Sequence, residues 1–385
     1  MRKIPVILTL SLTLLLLLGC RTSQRQQQDV KINGKGFGID YAELLVMEEL
    51  DHGRTLCRIL DPWRTGRIMV QYLLVPKNDA GWNAEAEEAM TMKYGEAEVV
   101  RTPLERMTIT TSCHIWLLSQ LDALGSVTIL CDSVFINASN VKAWMRSRKP
   151  NGEAMVLDGG TSSKPNIEVL MAGNTDALWF SPYENATLGN LDRLPVPIIY
   201  CAEYMENSPL ARAEWMKFYG RLVGRAQKAD SLFAAVANRY EKLSKKAQNG
   251  KKILVDLPYG ATWYVPGGCS NSAQLYADAG FVYPWADDKH SGSLSLSKEA
   301  VLAKAQDCDI WYIRYMDSQK DWTLDDFRRQ NTFFDKFKAA QEGDVWGCNT
   351  AYSDFFDITS FRPDSLLESF IKGDGAFYRK IAKSR

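Results

Sequence analysis

The sequence predicts an α/β fold: two Rossmann-like lobes with parallel-type sheets, linked by a single long α-helix. Three observations carry that expectation. Strand-like and helix-like segments alternate in both halves of the chain, and a long amphipathic stretch separates the two sets. The 385 residues, 46% hydrophobic and 24% charged, are also enough for two cores. The 46 Lys and Arg residues balance 46 Asp and Glu, which excludes a protein built around nucleic acid or an acidic polymer.

Taken in order, residues 1–19 read as an export signal. Arg2 and Lys3 open a run from Ile4 to Leu18 that is almost wholly apolar and too short for a comfortable membrane span. The run closes on Leu17-Leu18-Gly19-Cys20, which resembles the lipobox of bacterial lipoproteins, and this implies lipidation of Cys20 and cleavage before it. An ordinary secretory signal with an incidental Cys20 is the alternative. Residues 20–36 carry almost no large apolar side chain and are expected to form a flexible tether.

From residue 37 to 206 the pattern is that of an N-terminal α/β lobe. Strand-like runs at 56–60 and 68–75 flank the turn residues Pro62 and Gly66. Further short strands are expected at 106–110, 127–130, 176–181 and 196–201, with a helix from Ser112 to about Gly125 between the first two. Residues 207–249 form the bridge. Apolar side chains recur every three or four positions from Trp215 to Leu243, Ser208-Pro209 supplies the start and Asn249-Gly250 the stop. A single helix of about 38 residues would be about 57 Å long at about 1.5 Å per residue. Two helices with a kink near Gly220 or Gly224 are the alternative. Residues 250–385 repeat the α/β rhythm, with strands at 252–257 and 308–314 and helices at 272–279 and 298–306.

Seven cysteines remain beyond Cys20: Cys57, Cys113, Cys131, Cys201, Cys269, Cys308 and Cys348. Their wide spacings contain no CxxC pair, so buried free thiols are expected and no disulfide is assigned. The GxSxG, HExxH and GxxxxGK[ST] signatures are absent from the sequence, which argues against the enzymes that use them.

Several blocks carry a family resemblance. They are Asp61-Pro62-Trp63, Tyr72 to Lys77, Thr111-Ser112-Cys113-His114, Ala202-Glu203-Tyr204, Pro209 to Trp215, Thr262 to Gly268, Ala305 to Trp311 and Phe361-Arg362-Pro363-Asp364. Their order and spacing resemble the substrate-binding lipoproteins of ABC importers for iron-siderophore complexes, cobalamin and haem. Departures occur at Thr111 to His114, where relatives carry Ser-Thr-Thr-His, and at Cys269-Ser270-Asn271-Ser272.

The resemblance implies a class III periplasmic binding protein fold, a monomer with its globular part in the periplasm or otherwise outside the membrane, and no catalytic role. It also implies a ligand that brings its own iron or cobalt, with no resident cofactor or protein metal site, and partners in an ABC permease and its ATPase subunits. Ligand capture without a dedicated permease, or an exported hydrolase acting on a siderophore-type ligand, are the alternatives. The expected ligand-binding residues are Ser112 and His114 at a helix start, Tyr183 and Arg314 after strands, Trp263 and Tyr264 in the second lobe, and Asp354 and Phe356 in a late loop. A helix start favours an anionic group, aromatics suit a large planar ligand, and Arg314 suits a carboxylate or propionate.

Overall fold

The computed structural model describes residues 37–381 except 96, 149–155, 186–187 and 374. The expected signal peptide, Cys20 and the tether lie outside the described residues.

The first strands are β1 (Leu45–Glu49), β2 (Thr55–Leu60), β3 (Ile68–Pro76) and β4 (Glu98–Thr102), which form one sheet in that order. Between β3 and β4 runs α1 (Ala84–Tyr94), started by the Asn83 side chain accepting from Ala86 N. It buries none of its residues, and so carries no periodic apolar signal.

The chain entering this sheet is pinned by two buried carboxylates. Glu214 accepts from the backbone N–H groups of Asp40, Tyr41 and Ala42 at 3.0, 2.7 and 2.9 Å, and Lys217 Nζ donates to it at 2.8 Å. Glu206 accepts from Glu43 N and Leu44 N, both at 3.0 Å, and from Trp215 Nε1 at 2.8 Å. Buried carboxyl groups are tolerated when such hydrogen bonds replace the water they lose.

The first lobe proper is a parallel sheet. Its strands are β5 (Met107–Ile109), β6 (Val127–Leu130), β7 (Leu157–Asp158), β10 (Ala177–Phe180) and β11 (Ile198–Tyr200), arranged β11-β10-β5-β6-β7. The hairpin β8 (Gly160–Thr161) and β9 (Lys164–Pro165) stands apart from it. Helices α2 (Ser112–Gln120), α3 (Ser139–Ser147) and α4 (Ile167–Ala172) occupy the crossovers.

The bridge is shorter than the expected single rod. Three helices stand there: α5 (Pro209–Glu214), α6 (Met216–Leu222) and α7 (Ala226–Ser244). Trp215, between α5 and α6, keeps right-handed helical angles, but Gly224 adopts φ +67 and breaks the path. Gly220 lies so close to Ala229 that a Cβ there would meet the alanine methyl at 2.4 Å, so α6 and α7 pack against each other. The joining element is therefore the 19 residues of α7. Lys228 near its start pairs with Asp122 of the first lobe, while Arg239 pairs with Asp364 and Glu368 and Tyr240 donates to Asp278 in the second.

In the second lobe, β12 (Ile253–Val255), β15 (Ile310–Tyr315) and β16 (Val345–Asn349) are parallel, and β17 (Arg379–Lys380) closes the edge antiparallel. A hairpin of β13 (Thr262–Pro266) and β14 (Ser293–Ser297) stands beside it. Helices α8 (Asn271–Asp278), α9 (Lys298–Ala305), α10 (Leu324–Gln330), α11 (Lys338–Glu342), α12 (Phe355–Ile358) and α13 (Pro363–Lys372) cover the faces. An aromatic stack of Trp263, Trp311, Phe334 and Phe337 fills this core, with Trp311 centred 4.9 Å from both phenylalanine rings. Among the described residues, no helix is long and apolar enough to cross a membrane. Cys57, Cys113, Cys131, Cys201, Cys308 and Cys348 are buried free thiols and Cys269 is exposed.

Candidate ligand-binding site

The carboxyl ends of the two parallel sheets meet. Asn137, after β6, donates from its side chain to Thr350 O at 3.0 Å and Ser353 O at 3.1 Å, in the loop after β16. The backbone N–H groups of Asn137 and Ala138 both donate to Asp357 Oδ2, at 2.7 and 2.5 Å. In open α/β sheets ligands bind outside these strand ends.

Two cavities lie along the seam. One, of about 310 Å³, is walled by Thr111, Ser112, Cys113, Pro209 and Arg212 of the first lobe and the bridge, and by Asn271, Ser272, Arg314, Phe355 and Phe356 of the second. The other, of about 720 Å³, includes Asn137, Tyr315, Trp322, Tyr352, Asp354 and Lys380. They share one loop, Asp354 facing the larger cavity and its two phenylalanine neighbours the smaller.

Arg314 is the best-defined charge in the smaller cavity. It is the penultimate residue of β15 and stands next to Asp256, which follows β12 in a left-handed conformation at φ +54. Arg314 Nε donates to Asp256 Oδ1 at 2.9 Å, and Nη2 donates to Oδ2, a bidentate pair. The Asp256 carboxylate raises the guanidinium further above its ordinary range. The Arg314 guanidinium also lies 5.7 and 6.0 Å from the ring centres of Phe355 and Phe356. Across the cavity, Arg212 of α5 is half-buried and its Nε makes no hydrogen bond. One guanidinium therefore comes from the bridge and one from the second lobe, and aromatic faces and the hydroxyls of Ser112 and Ser272 share the lining. Such a surface is chemically suited to an anionic, partly apolar ligand.

A wider rim repeats the chemistry. Val134 and Phe135 after β6, Tyr183 after β10, Tyr259 after β12, Met316 after β15, and Tyr352 and Phe356 after β16 are all exposed. Large apolar side chains left in water at the ends of five parallel strands mark a contact surface.

The structure sorts the expected residues. Ser112, Arg314 and Phe356 come together in the smaller cavity, and Asp354 stands in the larger one. Burial and the Asp357 charge raise the Asp354 carboxyl above its ordinary value.

His114 is a correction: it is 0% exposed. Helix α2 is covered by its own sheet and by α12, so every residue from Cys113 to Leu118 is buried whichever way it points. The Thr111 hydroxyl turns inward to His114 Nδ1, and the ring packs against Trp179, Tyr219 and Phe361. Its Nε2 lies 3.3 Å from Glu203 Oε1. Burial pushes the Glu203 carboxyl up, but His114, Arg212 and the Tyr219 hydroxyl together bring it down to about 2.

Trp263 is a second correction, also 0% exposed. Period-two alternation on β13 sends Trp263 into the core and Tyr264 out, half exposed. Tyr183 is exposed as well, and neither tyrosine lines either cavity.

Arg212, Asp256 and Asn271 escaped the sequence reading. The last two residues of one strand–turn signal, Leu254-Val255 followed by Asp256, could have flagged the aspartate as a strand-end group. Arg212 sits in a short helix whose other positions are mostly buried, and nothing in its spacing marks it.

A family model described as periplasmic binding protein matches residues 136–352. The chain belongs to that family, whose members are binding proteins and not enzymes. Among solved structures, an ABC-type Fe3+-hydroxamate transport system protein of Saccharomonospora viridis is 21% identical, covering 71% of this chain and 94% of that one at a TM-score of 0.56. A periplasmic heme binding protein of Vibrio cholerae is 14% identical, covering 69% and 98% at 0.54. A periplasmic vitamin B12 binding protein of the same organism is 13% identical, covering 70% and 96% at 0.51. These likenesses show the shared fold, that of class III periplasmic binding proteins. An uncharacterized lipoprotein of Methanocaldococcus jannaschii is 26% identical over 277 residues, 70% of this chain and 65% of that protein, so the chain spans less than two thirds of that relative.

Proposed function

We propose that the protein is the receptor of an ABC importer, capturing an anionic metal chelate, either a ferric siderophore, haem or cobalamin-type ligand, between two jaws formed by residues 37–206 and 250–385. The observation that carries this reading is the seam cavity with one guanidinium from the bridge, one from the second lobe, and Phe355 and Phe356 in its wall beside Arg314. Arg212 and Arg314 hold carboxylate or propionate groups, the aromatics cover the apolar body of the chelate, and Ser112 and Ser272 accept or donate at its polar edge. The metal arrives inside the ligand.

Lipidated Cys20 and the 20–36 tether hold the globule, as a monomer, to a membrane outside the cytoplasm. The loaded receptor then docks on a permease driven by its ATPase subunits. Because α7 is tied to both lobes by Lys228, Arg239 and Tyr240, closure is a small hinge movement.

Tryptophan-fluorescence titration with ferric hydroxamate, ferric catecholate, haemin and cobalamin, corrected for ligand absorbance, tests the proposal. One ligand saturating the signal at a single site supports it. A flat response to all four contradicts it.

A further inference from the structure

Three donor side chains outside the proposed ligand set converge beneath the cavity. A sulfur of Cys113, a ring nitrogen of His114 and a carboxylate oxygen of Glu203 lie within 4.8 Å of one another, and all three residues are buried. His114 is fully enclosed, yet its Nε2 has no hydrogen-bond partner. The nearest acceptor, Glu203 Oε1 at 3.3 Å, is not aligned to receive an N–H from it.

Each donor is steadied from behind. Thr111 Oγ1 engages His114 Nδ1, and Tyr219 OH donates to Glu203 Oε2 at 2.7 Å. In the tautomer whose Nδ1–H is directed to Thr111, Nε2 presents a bare lone pair toward a carboxylate oxygen, an arrangement that is repulsive unless a positive charge lies between them. Metal-ligating histidines and carboxylates are oriented by outer partners in the same way.

We propose that Cys113, His114 and Glu203 form a binding site for a divalent cation, zinc by the chemistry of its one sulfur, one nitrogen and one oxygen donor. The cation enters from the cavity, whose wall includes Cys113. As the sulfur–metal bond forms, the Cys113 thiol releases its proton to solvent, while His114 binds as neutral imidazole and Glu203 as carboxylate. Three protein donors leave one tetrahedral position for water. Arg212, which bears on both Cys113 and Glu203, opposes the cation, so the site is weaker than a closed four-ligand structural zinc site. The site is separate from the chelate's own metal and does not depend on the chelate proposal.

The test uses the protein stripped with EDTA and then given cobalt(II) or zinc chloride. Cobalt is expected to produce a thiolate charge-transfer band in the near ultraviolet and tetrahedral bands in the visible. Zinc is expected to remain at about one per chain by mass spectrometry after gel filtration and to displace cobalt. Cys113→Ser should abolish the charge-transfer band and weaken zinc binding at least about tenfold, with an unchanged circular dichroism spectrum. Cys269→Ser, which alters the exposed thiol, should leave both unchanged. Should Glu203→Gln fail to fold, the Cys113 variant still decides the matter, because its side chain is small and at the cavity wall. No cobalt band, or a band that survives Cys113→Ser, would overturn the proposal and leave a proton as the only charge between His114 and Glu203.

Discussion

At the end of β5 the first lobe folds its polar side chains under the surface, whereas at the end of β15 the second lobe leaves them open to the cleft. Thr111, His114 and Glu203 turn inward beneath α12, where Thr111 engages His114 Nδ1, Tyr219 donates to Glu203, and His114 Nε2 is left facing Glu203 at 3.3 Å. Arg314 and Asp256 make an equally specific pair, but at a cavity wall with Phe355 and Phe356 beside it. Both groups follow parallel strands. The difference is depth along the next element: a residue one turn inside a covered helix belongs to the core, while a residue in the last positions of a strand faces the cavity.

The largest effect that would sharpen this contrast is on stability. Trp263→Ala is expected to cost about 3–5 kcal/mol in urea unfolding, as for a fully buried aromatic. Tyr264→Ala next to it should stay within about 0.5 kcal/mol. Similar losses for the two would break the assignment of faces on β13.

Next comes binding. Arg314→Ala should weaken the chelate by about 2 kcal/mol, roughly thirtyfold, because it removes one charge of a hydrogen-bonded pair at the cavity. His114→Gln, by contrast, should alter melting temperature more than affinity. An equal loss of affinity in the two variants would erase the distinction between open and covered groups.

Phe356→Ala should lower affinity several-fold and leave the melting temperature almost unchanged, since its ring is half in water. Small-angle scattering should show only a slight contraction on ligand binding, because α7 is fastened at both ends. A large contraction would show that the lobes pivot freely.

The smallest effect is a pH slope. Burial raises the Glu206 carboxyl despite the donors Trp215, Glu43 and Leu44. The folded state therefore keeps this proton to higher pH than the unfolded state does. Its contribution to stability is greatest below the unfolded carboxylate value and declines as pH rises through the folded one. Glu206→Gln should flatten that slope in melts taken across the acid range.

The strands and most helices were legible because period-two and period-3.6 patterns report burial directly. Helix α1 was not, since it buries nothing and so leaves no pattern. The break at Gly224 was one of two readings, because a glycine in a periodic run is compatible with either a helix interior or a left-handed stop. In the cleft, Arg314 was legible as a strand-end charge. The burial of His114 was not, because α12, which covers it, comes from more than two hundred residues later in the chain.

The central claim is that two guanidiniums, one from the bridge and one from the second lobe, hold one anionic chelate. Calorimetric titration of the ligand identified by fluorescence into the native protein and into the Arg212→Ala, Arg314→Ala double variant tests it most directly. The account predicts one site in the native protein and its loss in a double variant that keeps a native circular dichroism spectrum. Undiminished affinity in that folded variant would contradict it.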